Sequence, residues 1–160
     1  PVVDTLSASA AIRINAYLRN GGTILFDTRD QSASAEALAW LAHELDIPPL
    51  VPVPPDHVLT RAFYLMREFP GRWAGSTLWV ERVGERVNDG VSSVIVGGHD
   101  WTAAWAMDEA QHPFFPVVPG GERQREMAFR FGINLVMYTL TGNYKADQVH
   151  LPAILRRLGQ

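Results

Sequence analysis

Two mainly apolar runs in this chain each end in a cluster of polar residues. Thr23–Phe26 leads into Asp27-Thr28-Arg29-Asp30, and Val91–Val96 leads into Gly97-Gly98-His99-Asp100. Short apolar runs bounded by turn residues are typical of strands that are buried on both faces. In open α/β sheets, ligands bind in the crevice outside the carboxyl ends of the strands. The pattern therefore predicts one crevice lined by both polar clusters.

Apolar positions at helical spacing predict helices between these strands. A first helix starts at Ser7 or Ser9 as N-cap and stops at Gly21-Gly22. A second follows Ser34, and a short third runs over Trp101–Met107, with Asp100 placed to cap it. Together with the strands, these helices give the alternating order that is characteristic of α/β proteins.

A long helix is predicted from Glu122 to about Leu140. It is apolar over most of its circumference, so we expect it to be largely buried. Its polar stripe includes Arg130 and Asn134, which we interpret as a buried polar network that holds the helix to the sheet. A final short helix, Asp147 to Leu158, closes the chain.

The predicted fold is a three-layer α/β sandwich, in which a mostly parallel sheet is flanked by helices. The length of 160 residues predicts a single domain over residues 1–160. The chain begins at Pro1 without a starting Met, and the expected first strand does not appear in it. We therefore expect a piece excised from a larger protein.

Composition excludes several classes of function. The net charge of -3 argues against a general nucleic-acid binder, which usually carries a basic surface. The chain has no cysteine, so disulfides, thiolate metal ligands and cysteine nucleophiles are all excluded. No apolar stretch reaches the ~20 residues that span a bilayer, and we predict no bound cofactor. A chain without cysteine suits either redox environment, so the sequence does not determine the cellular compartment.

Three longer segments resemble a bacterial domain-of-unknown-function family, DUF4159. They are residues 21–30, residues 89–101, and residues 125–134 with their continuation over 141–150. The resemblance implies a class I glutamine amidotransferase-like, flavodoxin-like architecture. It also implies a membrane-anchored bacterial parent protein, in which this domain would be a soluble part. It leaves open on which side of the membrane the domain lies.

The residues do not support the chemistry that such an architecture often carries. Glutamine amidotransferases need a cysteine nucleophile on a strand-to-helix turn, and Gly97-Gly98-His99 follows the strand here. The chain also lacks the Gly-x-Ser-x-Gly turn of serine hydrolases. We therefore predict a non-catalytic domain that binds a small polar ligand or a protein partner. The predicted ligand-binding residues are Asp27, Arg29, Asp30, His99 and Asp100.

An enzyme built on the same crevice is the alternative. It would be a metal-dependent or carboxylate/His hydrolase, with Asp27 or Asp100 as base and His99 as acid or metal ligand. The candidate metal ligands are Asp27, Asp30, His57, His99 and Asp100, although the position of His57 favours a helix-start or packing role. Asp30-Gln31-Ser32-Ala33-Ser34 matches a metal-dependent adhesion pattern, and its serines equally suit a helix cap. A flat, exposed apolar patch near Trp73 or Trp79 would instead favour a surface that binds a protein partner.

Overall fold

The structure is a computed structural model that describes residues 5–30, 33–82 and 91–142. Four α-helices lie in these ranges: α1 (Ala8–Arg19), α2 (Ala33–Glu44), α3 (Trp101–Trp105) and α4 (Glu122–Thr141). Four strands accompany them: β1 (Ile24–Asp27), β2 (Leu50–Pro52), β3 (Trp79–Glu81) and β4 (Val94–Gly97). A 3₁₀ turn covers Val58–Thr60. The predicted α/β class is therefore confirmed.

The sheet is mixed, with the strand order β1-β4-β3-β2. The β1–β4 pair is parallel, whereas β3 runs antiparallel to both β4 and β2. The prediction of a mostly parallel sheet is wrong, because two of the three pairings that the structure describes are antiparallel. A strand as short as β3, with three residues, carries no signal of its orientation in the sequence.

Apolar clusters cover both faces of the sheet. Val94 and Val96 face Leu18 of α1 and Leu41 of α2 on one side. Ile95, which points the opposite way, belongs to the cluster formed with α3, α4 and the 3₁₀ turn. This division follows from the strand period of two, because alternate side chains point to opposite faces. It explains why the β4 sequence is apolar at every position.

The helix ends agree with the capping residues in the sequence. The Ser7 hydroxyl accepts a hydrogen bond from the backbone N–H of Ala10 at the start of α1. Gly21, with φ of 88°, takes the left-handed conformation beyond its end. The predicted cap at Ser34 rests on a side chain that lies outside the described part of the structure, as does the predicted helix Asp147–Leu158.

Helix α4 is less buried than its composition predicts. Its buried residues lie along one side: Gln124, Ala128, Phe131, Asn134 and Tyr138. A second apolar stripe on the same helix is open to solvent, with Leu140 76% exposed and Val136 54% exposed. The sequence pattern shows how apolar each side of a helix is, but it does not show how many neighbours are available to cover those sides.

Candidate functional site

The parallel register of β1 and β4 sets the position of the site. Asp27 pairs with Gly97, so both strands end at the same edge of the sheet. Beyond this edge, backbone hydrogen bonds connect the loop that follows β1 to the loop that follows β4. The N–H of Thr28 donates to the Gly97 carbonyl at 2.9 Å, and the N–H of Asp100 donates to the Thr28 carbonyl at 3.3 Å. The two polar clusters that the sequence predicts at strand ends therefore start side by side.

A third segment, Gly71–Trp73, completes the wall. The Trp73 N–H donates to the His99 carbonyl at 3.1 Å, and its indole N–H donates to the Arg29 carbonyl at 2.8 Å. Gly71 lies so close that a Cβ atom there would be 2.3 Å from the His99 carbonyl oxygen. Any side chain at this position would therefore force one of the two segments to move.

These three segments, with part of α3 and the loop after it, enclose a cavity of about 580 Å³, which we call the crevice. This volume lies within the usual range for small-molecule sites, roughly 300–1,000 Å³. Its lining combines two carboxylates, two guanidinium groups, a hydroxyl and an aromatic ring: Asp27, Arg29, Arg72, Asp100, Thr102, Ala103, Ala106 and Phe115. The formal charges of the four ionised side chains sum to zero.

Asp27 is held at its place by Thr102. The backbone N–H and the hydroxyl of Thr102 both donate to Asp27 Oδ2, at 3.0 Å and 2.8 Å. Asp27 Oδ1 is covered, and it has no hydrogen-bond partner among the described residues. Burial raises the pKa of Asp27, and the negative charge of Asp100 raises it further, against the lowering effect of the Thr102 hydrogen bonds.

Asp100 stands in the N-cap position of α3, but its side chain makes no capping hydrogen bond. Its carboxylate lies 3.3 Å from Arg72 Nη1, and only 7% of the Asp100 side chain is exposed. The backbone of Asp100 is left-handed, with φ of 51° and ψ of 50°. Aspartate tolerates this region better than most residues, and such backbone strain concentrates at functional sites.

Arg72 is fixed from several directions. Its guanidinium carbon lies 4.8 Å from the ring centroid of Trp73 and 5.4 Å from that of Phe115. Both distances suit a cation–π contact. With Asp100 as its ion partner, this arginine forms a rigid, charged part of the wall rather than a mobile surface side chain.

His99 does not line the crevice. The residue is 1% exposed, its ring stacks on Trp101 with centroids 4.1 Å apart, and it borders a different cavity of about 420 Å³. Nε2 lies 3.0 Å from the Ser76 carbonyl oxygen, so this nitrogen carries the proton and donates it. Burial lowers the pKa of His99 to about 4.

The structure thus brings together three of the five predicted ligand-binding residues, namely Asp27, Arg29 and Asp100. Asp30 is exposed on the loop beside them, where its carbonyl accepts a hydrogen bond from the Thr28 hydroxyl. His57, which belonged to the alternative metal set, caps the 3₁₀ turn and packs 5.5 Å from the Tyr138 ring. This is the helix-start and packing role that its position favoured.

Three lining residues were not predicted: Arg72, Thr102 and Phe115. Arg72 and Phe115 lie in irregular segments, and long-range backbone contacts bring them to the crevice. Thr102 could have been found, because the first turn of a predicted helix exposes N–H groups that bind carboxylates.

The described residues contain neither a metal-binding cluster nor a membrane-spanning helix. Across residues 5–30, 33–82 and 91–142, no three His, Cys, Asp or Glu side chains are grouped closely enough to hold a metal ion. Within the same ranges, no helix has both the length and the apolar composition needed to cross a bilayer.

Comparison with known proteins gives the family. Residues 3–140 match the model of the family described as Domain of unknown function (DUF4159). The chain belongs to this family. The resemblance noted in the sequence is therefore confirmed at the family level. No curated protein matches the chain.

Proposed function

We propose that this DUF4159 chain binds a small polyhydroxylated ligand, such as a sugar, in the crevice and performs no reaction on it. The observation that carries the proposal is the convergence of two carboxylates, two guanidinium groups and a hydroxyl on one cavity of about 580 Å³. Ligand hydroxyl groups can donate hydrogen bonds to the carboxylates and accept them from the guanidinium N–H groups. Hydrogen bonds to charged groups contribute about 1.5–3 kcal/mol each.

The neighbouring side chains add the remaining contacts such a ligand needs. Arg29 is exposed at the rim and offers five N–H donors in a planar fork. Phe115 is 43% exposed, so its ring presents an apolar surface to a ring of C–H groups. Balanced charges favour a neutral or zwitterionic ligand over a strongly charged one, because either sign would meet a like charge.

The finer features implied by the family resemblance belong to the same proposal. These are the amidotransferase-like, flavodoxin-like architecture and the membrane-anchored bacterial parent. The parallel β1–β4 pair, whose carboxyl ends meet at the crevice, supports the first of them. On this view the chain retains the binding crevice of such a fold, and it has no cysteine with which to attack a substrate.

The test is a thermal-shift screen of the 160-residue chain against neutral monosaccharides, sugar acids and amino acids at millimolar concentration. Titration calorimetry then measures the affinity of any compound that stabilises the chain. We expect Asp27→Asn to weaken binding by roughly 10- to 100-fold, since it removes a charged acceptor. Glu109→Gln, a change of the same kind at an exposed carboxylate, should leave the affinity unchanged. Equal affinity in both variants would refute the assignment of the crevice.

A hydrolase that uses the two carboxylates is the second candidate. Burial raises the pKa of Asp27, as is common for catalytic acids, and Asp100 lies in the same crevice. Nitrophenyl glycosides and nitrophenyl esters provide the assay. Turnover that is lost in Asp27→Asn and retained in Glu109→Gln would favour this candidate over pure binding.

A further inference from the structure

An exposed apolar surface lies away from the crevice, on α4. Four side chains, spaced four, three and four residues apart, form what we call the α4 stripe: Phe129, Ile133, Val136 and Leu140. Their exposed fractions run from 37% for Phe129 to 76% for Leu140. This alternating spacing is that of a helix surface that packs against a second helix. Trp73 and Trp79, near which an exposed apolar patch would have favoured a partner surface, are both partly buried.

The α4 stripe contains both a protrusion and a hollow. Leu140 projects at its C-terminal end, and a cavity of about 440 Å³ lies beside Gly132, lined almost entirely by apolar side chains. The two features are eight residues, or about 12 Å, apart along the helix axis. A second hollow of about 550 Å³ shares Phe129 with the first, but Glu122, Arg125 and Glu126 line it, so it lies outside the uncharged part of the surface.

We propose that the α4 stripe is the contact surface between two copies of this chain, with the two α4 helices antiparallel. A two-fold axis between Ile133 and Val136 places Leu140 of each copy against Phe129 of the other, next to the hollow at Gly132. Ile133 of each copy then lies against Val136 of the other, at the hollow beside Gly132, and the two contacts are identical, as an isologous interface requires. A parallel pair would instead place Leu140 against its own counterpart.

Charge supports an identical partner. From residue 131 to residue 141, α4 carries no Asp, Glu, Lys, Arg or His side chain. The nearest charged group, Arg130, points away to pair with Glu126 and to cover the Tyr64 ring. Two such surfaces therefore meet without like-charge repulsion, which is the usual obstacle to pairing identical faces.

Sedimentation velocity of the 160-residue chain, over a micromolar to millimolar series, tests the proposal. We expect the mass to rise with concentration from 17.8 kDa toward twice this value. Leu140→Arg should raise the dissociation constant at least roughly tenfold, because it places a charge in the apolar contact. Leu65→Arg is the matched control, since Leu65 is 72% exposed at another place on the surface. It should leave the dissociation constant unchanged.

Single cysteines test the orientation, because the chain has none of its own. A mixture of Phe129→Cys and Leu140→Cys should oxidise mainly to the mixed disulfide if the helices are antiparallel. Disulfides between two copies of Leu140→Cys would overturn the antiparallel arrangement. A chain that stays monomeric throughout the series would overturn the dimer altogether, as would a dimer equally insensitive to both arginine variants. In either case the α4 stripe would have a different occupant.

Discussion

Burial shifts the pKa values of several single residues in this chain. Burial lowers the pKa of both His57 and His99 to about 4, from 6.5. Both rings therefore stay neutral in the native state at a pH where the unfolded chain would protonate them. The pKa of Asp27 shifts in the other direction, because burial raises it. The sequence contained these residues as candidates, but it could not show which of them would be covered.

The histidine shifts predict a loss of stability in mild acid. Between pH 6.5 and pH 4 the unfolded state binds more protons than the native state, so the free energy of unfolding falls as the pH falls. Each ring contributes a loss of about 2 kcal/mol between about pH 7.5 and about pH 5. Urea unfolding at these two values measures it. Asp27 has the opposite sign, because a raised carboxyl pKa favours the native state at low pH.

Two variants separate the histidine effect from the titration of the carboxylates. His99→Gln should remove about half of the histidine contribution, so the difference between the two pH values becomes smaller than in the wild type. His43→Gln is the control, because the His43 side chain is 83% exposed. An unchanged difference in His99→Gln would mean that the ring does not stay neutral when folded.

At the scale of elements, α4 shows how a polar stripe divides between packing and solvent. Asn134 is 0% exposed and uses its whole amide. It accepts from the N–H groups of Phe63 and Tyr64 and donates to the carbonyls of Leu59 and Tyr64, at 2.7–3.1 Å. Arg130, predicted to belong to the same buried network, is 38% exposed and pairs with Glu126 one turn away. The predicted network is therefore correct for Asn134 and wrong for Arg130.

Because Asn134 is buried and Arg130 is partly exposed, substitutions at these two residues should lower the unfolding free energy by very different amounts. Asn134→Ala leaves four backbone groups without their partner, so we expect a loss of at least about 3 kcal/mol in unfolding free energy. Arg130→Ala removes an exposed pair and should cost no more than about 1 kcal/mol. Denaturant unfolding of both variants gives the comparison. Similar losses would contradict the assignment of Asn134 as the attachment point of the loop at 59–64.

Periodicity alone could not have made the distinction. Both residues lie in the stripe that the sequence marks as polar, and their spacing of four residues suits a shared network. What separates them is the irregular segment between the 3₁₀ turn and residue 66, whose backbone needs hydrogen-bond partners that its own conformation does not supply. Its path is set by tertiary contacts, to which single-sequence patterns are blind.

At the scale of the whole molecule, the crevice is assembled from distant parts of the chain. The parallel pairing of β1 and β4 could be inferred, since both apolar runs end in polar clusters. The family and the α/β class also followed from the sequence. The position of Arg72 could not be inferred, because it depends on backbone contacts between segments almost 30 residues apart. Neither could the antiparallel β3, which separates β4 from β2.

A substitution at Gly71 tests whether ligand binding in the crevice depends on the 71–73 segment. In Gly71→Ala the new Cβ would lie 2.3 Å from the His99 carbonyl oxygen, so either the 71–73 segment or the loop after β4 must move. We expect a loss of about 1–3 kcal/mol in unfolding free energy. Because Arg72 and Asp100 lie on the two segments that would separate, ligand affinity in the crevice should fall as well.

Gly75→Ala provides the comparison, because it has no atom within 4 Å of the added Cβ and only its φ of +84° to strain. It should cost about 1–2 kcal/mol from backbone strain and leave the crevice intact. Thermal unfolding gives the stability of each variant, and calorimetry with the compound found by the screen gives its affinity. If both variants lose stability but neither loses affinity, the crevice does not depend on the joint at Gly71. The polar groups at the two strand ends would then bind a ligand without the third segment.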